Sequence, residues 1–150
     1  MDRLFDDQKF MRIALDEAKL AYEQNEVPVG AVIVRDGKVL CRAHNTRESD
    51  KNALYHAEIK AIDEACRILG GWRLVGCTLY VTLEPCPMCA GALINARVER
   101  VVFGAPDFKG GALGSMINLT EYPLFKPQIT PGVLCEECST LLTDFFKSKR

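Results

Sequence analysis

A chain of 150 residues with 19 basic and 20 acidic side chains carries a net charge of −1. No bulk field marks it as a nucleic-acid binder, so any such surface must be a local patch. Its 48% hydrophobic and 26% charged content is that of a globular protein, and no run approaches the ~18 apolar residues of a membrane helix.

At this length one domain over residues 1–150 is expected, with a core that does without disulfide staples. The opening Met1-Asp2-Arg3-Leu4 is acidic and amphipathic, unlike a signal peptide. Seven cysteines, two of them in a metal-type pair, then point to reduced thiols and a cytoplasmic protein.

Residues Asp6 to Gln24 have helical period, with Phe10, Ile13, Ala14, Ala18, Ala21 and Tyr22 on one side. Val29 to Val34 and Val39 to Ala43 flank Asp36-Gly37, a hairpin signal because both central turn positions favour positive φ. A polar loop, His44 to Asn52, follows. Tyr55 to Leu69 returns to helical period through Ile59, Ile62, Ala65, Cys66 and Leu69, and Gly70-Gly71 ends it. This places His56 in the first helical turn.

Cys77 to Leu83 reads as a strand, with Leu79, Val81 and Leu83 alternating with Thr78, Tyr80 and Thr82. A helix from Pro87 to Arg97 follows, with proline where its missing N–H costs nothing. Cys86 therefore lies at a helix N-terminus, where the macrodipole favours thiolate. Val101 to Gly104 is a further strand, Pro106 to Ser115 a glycine-rich loop, and Pro123 to Gly132 irregular or a short edge strand. A helix from Val133 to Lys147 closes the chain. Helices alternating with strands predict an α/β protein, a three-layer α/β/α sandwich around a mixed sheet.

Chemistry concentrates in Glu84-Pro85-Cys86-Pro87-Met88-Cys89 and His56-Ala57-Glu58. Two thiolates from a C-x-x-C and one imidazole leave a tetrahedral ion one open position, as catalytic zinc requires; structural zinc normally has four protein ligands. His56, Cys86 and Cys89 are the candidate ligands. The ion would lower the pKa of a water towards ~7, and Glu58 would move its protons. His44 is a further histidine, more simply read as a hydrogen-bonded surface residue. A competing arrangement uses the second C-x-x-C, Cys135 and Cys138, to close a four-thiolate structural site. Against it, the gap between the pairs far exceeds that of zinc ribbons, Cys138 falls on an apolar helical face, and His56-Ala57-Glu58 is left without a role.

H-x-E with P-C-x-x-C is the pattern of zinc nucleobase deaminases. Over nearly its whole length the chain resembles the bacterial tRNA-specific adenosine deaminases of the cytidine deaminase-like superfamily. The resemblance runs through Glu26-Val27-Pro28-Val29-Gly30, His44-Asn45, His56-Ala57-Glu58-Ile59, Thr78 to Cys86 and Cys89-Ala90-Gly91-Ala92. Phe103-Gly104-Ala105-Pro106-Asp107-Phe108-Lys109-Gly110-Gly111, continuing to Gly114-Ser115, separates this family from guanine, cytosine and riboflavin-pathway deaminases.

The resemblance implies one Zn2+ per subunit, a homodimer, and conversion of the wobble adenosine of a tRNA anticodon to inosine. It also implies that Asn45 bonds the flipped adenine and that Asp107 and Lys109 lie near the anticodon loop. The chain departs from the family at Tyr122 to Pro127, which is short and lacks an Asn-His pair, and at Asn52-Ala53-Leu54-Tyr55. Lys147-Ser148-Lys149-Arg150 is either a solubilising tail or a phosphate contact. Two rival readings stand beside this one: a free nucleobase or nucleoside deaminase with the same zinc core, and a zinc-stabilised RNA-binding module without catalysis.

Overall fold

Strands that are apolar on both faces need a layer on each side, and that requirement sets this architecture. The computed structural model describes residues 3–149; the expectations on Met1, Asp2 and Arg150 fall outside them. Among the described residues the order is α1 (Arg3–Glu23), β1 (Gly30–Arg35), β2 (Lys38–His44), α2 (Ala57–Leu69), β3 (Cys77–Leu83), α3 (Pro87–Asn95) and β4 (Arg100–Ala105). A single 3-10 turn (Leu119–Glu121), β5 (Gln128–Thr130) and α4 (Cys135–Lys147) complete it. The strands form one mixed sheet in the order β2-β1-β3-β4-β5. The β1–β2 and β1–β3 pairs are antiparallel, and the β3–β4 and β4–β5 pairs parallel.

Successive strand residues feed opposite cores. Ala31, Ile33, Leu79, Val81, Val101 and Phe103 pack under α2 and α3. Val32, Val34, Tyr80 and Val102 pack under α1 and α4. The expected three-layer sandwich is present. The polar members of the β3 alternation, Tyr80 and Thr82, are buried as well. Thr82 is buried and its hydroxyl accepts from the Gly30 N–H at 3.1 Å, while the Tyr80 hydroxyl donates to Asp7 at 2.8 Å. Each polar atom has a partner, so these positions are buried at little cost.

Asp36 (φ 53°) and Gly37 (φ 73°) form the hairpin turn, and Gly70 (φ 72°) ends α2, as the sequence predicts. Pro127 and Pro131 bracket β5 rather than interrupt it, which is why it is three residues long. Helix α2 begins at Ala57, so His56 is its N-cap and not a residue of its first turn. Its deepest face is Ala57, Glu58, Ala61 and Ala65, whereas Ile59 faces a surface groove. Gly30 is required by contact: a Cβ there would lie 2.0 Å from the Ala14 carbonyl oxygen, so α1 rests directly on β1. Among the described residues no helix is long and apolar enough to cross a membrane, and all seven cysteines are free.

One buried ion pair fastens the α1 layer to the sheet. Arg100 donates to both carboxylate oxygens of Asp7 at 2.7 and 2.6 Å and to Thr130 at 2.9 Å, joining α1, β4 and β5. Burial opposes ionisation of Asp7, but the bonds from Arg100 and Tyr80 outweigh it and hold the carboxyl below the ordinary range. Asp7→Ala leaves a guanidinium buried without its counter-charge and should cost about 3–5 kcal/mol in urea unfolding. A loss below about 1 kcal/mol would show that water replaces the carboxylate.

Candidate active site

The site forms where two helices begin. The sequence ends β3 at Leu83, turns through Glu84-Pro85, and starts α3 at Pro87, which leaves Cys86 as N-cap in extended conformation (φ −73°). His56 is the N-cap of α2, also extended (φ −72°). Neither side chain caps its own helix, so both are free to face one another. His56 Nδ1 lies 3.6 Å from Cys86 Sγ and 3.5 Å from Cys89 Sγ, and the three donor atoms lie within 4.8 Å of one another.

These spacings fit a metal. A tetrahedral ion with sulfur at ~2.3 Å and nitrogen at ~2.0–2.1 Å holds those atoms roughly 3.6 Å apart. Among the described residues this is the one cluster of three histidine, cysteine or acidic side chains able to hold an ion. Hydrogen bonding from Cys89 and His56 to the Cys86 thiolate brings its pKa down to about 4. The same neighbouring thiolate, together with burial, pushes Cys89 up, so without an ion the pair shares one proton. A divalent cation reverses the Cys89 shift by binding both sulfurs as thiolates.

Glu58 follows two residues after His56, in the first turn of α2, with 3% of its surface exposed. Its Oε1 has no hydrogen-bond partner among the described residues. Burial pushes this carboxyl up to about 7, and the charge on Cys86 pushes in the same direction. An orphaned carboxylate oxygen beside a trio of soft ligands is what a proton-handling group looks like before its partner arrives. The pocket above it has a volume of about 160 Å³ and is lined by Val27, Val29, Asn45, His56, Glu58 and Asp107 among others. A larger groove of about 700 Å³ runs between β2 and α2, but it contains none of the three metal-type ligands.

The other sequence-derived candidates divide. Asn45 is buried in the pocket wall; its Nδ2 donates to the Val27 carbonyl at 3.3 Å and its Oδ1 accepts from the Arg47 N–H at 3.1 Å. Asp107 also lines the pocket, with Oδ1 accepting from the N–H groups of Lys109 and Gly110. Lys109 does not reach that pocket; it borders an adjoining cavity. His44 bonds Glu17 at 2.9 Å and Gln24 at 3.2 Å, which ties β2 to α1. Cys138 is buried in the α1/α4 core, where a Cβ at Gly104 would lie 2.4 Å from its sulfur. Cys135 and Cys138 are therefore not drawn into the site, and the closed four-thiolate arrangement is ruled out.

Two residues that the sequence reading missed build the pocket walls. Glu84, 2% exposed, accepts from the N–H groups of Asp107, Leu113 and Ser115 at 3.0–3.1 Å and from the Ser115 hydroxyl. Glu26, 1% exposed, accepts from the N–H groups of Glu48 and Ser49 and from the Ser49 hydroxyl. Burial opposes ionisation of both, yet these donors outweigh it and hold both carboxyls below the ordinary range. Gly111 must be glycine, since a Cβ there would fall 2.4 Å from Glu84 Cδ. The available signal was a glutamate at the end of β3 together with a loop after β4 that carries three glycines and a serine.

The sequence profile of the MafB19-like deaminases matches residues 5–150. Fold and site together therefore define a deaminase. The chain is 53% identical over 146 residues to a tRNA-specific adenosine deaminase of Bacillus subtilis, covering 96% of this chain and 91% of the relative. It is 47% identical over 142 residues to one of Aquifex aeolicus, covering 94% of each. A structure solved in a study of A-to-I editing by tRNA:A34 deaminases superposes with a TM-score of 0.87 at 44% identity, covering 89% of this chain and 99% of that one. The chain belongs to the tRNA-specific adenosine deaminase family, and its sheet and four helices match the cytidine deaminase-like fold.

Two predictions follow from this geometry. Elemental analysis of purified protein should show one zinc per chain, lost in Cys86→Ala and Cys89→Ala and kept in Cys135→Ala; loss of zinc in Cys135→Ala would return that residue to the site. Because the carboxyls of Glu84 and Glu26 have lowered pKa values in the folded state, the stability they contribute is present above their unfolded values near ~4.3 and is lost as pH falls through the folded ones. Amide exchange at Leu113 and Ser115 should therefore accelerate more in acid than exchange in β3, after correction for intrinsic rates. Equal acceleration would mean that Glu84 does not hold the loop.

Proposed function

We propose that the protein is a zinc-dependent hydrolase that converts adenosine to inosine at the wobble position of a tRNA anticodon, working as a homodimer in the cytoplasm. The observation that carries the reading is the buried, unpartnered Glu58 oxygen at the floor of a one-base pocket, beside a His-Cys-Cys trio with metal-ligand spacing. His56, Cys86 and Cys89 would hold the ion, which when bound supplies the Lewis acidity that makes water a nucleophile at neutral pH.

The remaining work falls to the chain. Glu58 Oε1 accepts the proton that water gives up as its oxygen bonds to the carbon bearing the exocyclic amine. It returns that proton to the adjacent ring nitrogen, then assists protonation of the departing amine, so that adenosine and water become inosine and ammonia. A carboxyl with a pKa near neutrality suits both roles, since neither form is costly. Asn45 is held by the Val27 carbonyl and the Arg47 N–H, which leaves one amide hydrogen to bond a purine ring nitrogen. Asp107, fixed by its bonds to Lys109 and Gly110, forms the opposite wall, and Lys109 stands towards the flanking strand. Lys149 packs over the Phe145 ring at 5.1 Å beside Arg47, which favours a phosphate contact over a free tail.

Inosine formation should be measured on an anticodon stem-loop with adenosine at the wobble position, beside free adenosine, guanine and cytosine. Glu58→Ala should retain zinc and lose at least about a hundredfold in kcat. Turnover of a free base alone would transfer the site to the rival deaminase reading. Near wild-type activity in Glu58→Ala would remove the proton shuttle.

A further inference from the structure

A cavity of about 760 Å³ adjoins the target pocket and has no part in the chemistry above. Val27, Leu83 and Asp107 line both spaces. Its other walls include Phe108, Leu142 and Phe146. Phe108 is 73% exposed and Phe146 49% exposed, whereas the neighbouring Phe145 is buried against Tyr22. Phe108 makes no ring contact among the described residues.

The Phe108 ring is held out on a fixed turn. The N–H groups on either side of it bond Glu84 and the Asp107 side chain, and Gly111 N–H closes the loop on the Asp107 carbonyl at 2.8 Å. A third cavity, which shares Val27 and Arg47 with the target pocket, is bordered by the exposed Arg47 and Lys149 and by the exposed Glu48, whose carboxylate lies 3.9 Å from the Arg47 guanidinium. Lys109 borders the aromatic cavity, so cationic side chains stand at both spaces and the exposed aromatic faces at one.

We propose that Phe108 and Phe146 form a stacking slot for the base of one nucleotide next to the target adenosine in a single-stranded RNA loop. The inference rests on the function proposed above. Seating one base in a buried pocket breaks its stack with both neighbours, and an aromatic face beside the pocket restores a stacking partner to one of them. The order of these contacts makes Phe108 a specificity-determining residue, because it acts on the strand and not on the reacting base.

The test is a double-mutant cycle in the Glu58→Ala background, so that RNA binds without turning over. Zinc-loaded protein with Phe108 or Phe108→Ala is titrated with stem-loops carrying a base, or an abasic sugar, immediately 5′ or 3′ of the wobble adenosine. Removal of the base on one side should weaken binding to the Phe108 protein on the order of tenfold and have little effect on Phe108→Ala. Phe108→Trp should keep that coupling and Phe108→Leu should lose it, since a leucine supplies apolar area without a ring face. Additive effects on both sides would overturn the slot while leaving stem-loop conversion intact. A change of oligomeric mass in Phe108→Ala would overturn it in favour of a contact with a second copy. Failure of the wild-type protein to convert any stem-loop would remove the RNA substrate and the slot together.

Discussion

Helices normally use their N-cap side chain to satisfy one of four orphan N–H groups, worth about 1 kcal/mol of stability. Here α2 and α3 both forgo that bond, because their N-caps are His56 and Cys86 and those side chains face each other instead. The meeting of these two helix ends is the constraint on which the rest depends. It requires β3 to stop where it does, Pro87 to start α3 without an N–H to lose, and Cys89 to come round one turn later on the same side. It also directs two positive helix ends at one point, which favours anionic sulfur and carboxylate there. The sandwich serves as a frame that holds the two N-cap side chains together, with His56 Nδ1 3.6 Å from Cys86 Sγ.

The pocket walls obey a second rule. Loops 45–49 and 107–115 have little secondary structure of their own, yet both are fixed from beneath by a buried glutamate that accepts backbone N–H bonds. Such bonds to a charged acceptor are roughly twice as strong as neutral ones and lose little entropy when the acceptor is already immobile. A flexible loop would have to be ordered each time a substrate bound. Glu26 and Glu84 carry that ordering within the folded state, and so Asn45 and Asp107 stand in position beforehand. The shared Val27 at the junction of three cavities follows from the same packing.

Much of this was legible in the sequence because the ligand spacing is local. C-x-x-C at a helix start places two sulfurs together regardless of context, and Asp36-Gly37 makes its turn for reasons internal to two residues. What needed the fold was long-range partnership. Glu17 and His44 are 27 positions apart, Asp7 and Arg100 93 apart, and nothing in the local pattern of either announces the other. Glu84 reads as part of a motif but acts on a loop 23 to 31 positions away. The polar residues of β3 depend on distant partners in the same way: Asp7 satisfies the Tyr80 hydroxyl, and the Gly30 N–H donates to the Thr82 hydroxyl. Ile59 belongs by its spacing to the apolar side of α2, yet it lines a surface groove, while the helix buries Ala57, Ala61 and Ala65 most deeply.

The charge balance of the site explains why Glu58 is left unpaired. Two thiolates would already neutralise a divalent ion, so a permanently ionised carboxylate as a third anion would leave net negative charge in a buried pocket. Pairing Glu58 with a lysine or arginine would solve that problem and destroy its use, since the carboxyl would then stay ionised throughout. Burial raises its pKa to about 7 instead, where under the proposed function it would take and return a proton at small cost. Under the proposed function, selectivity for a base presented in an RNA loop would rest on the walls around Glu58, and those walls are held by Glu26 and Glu84.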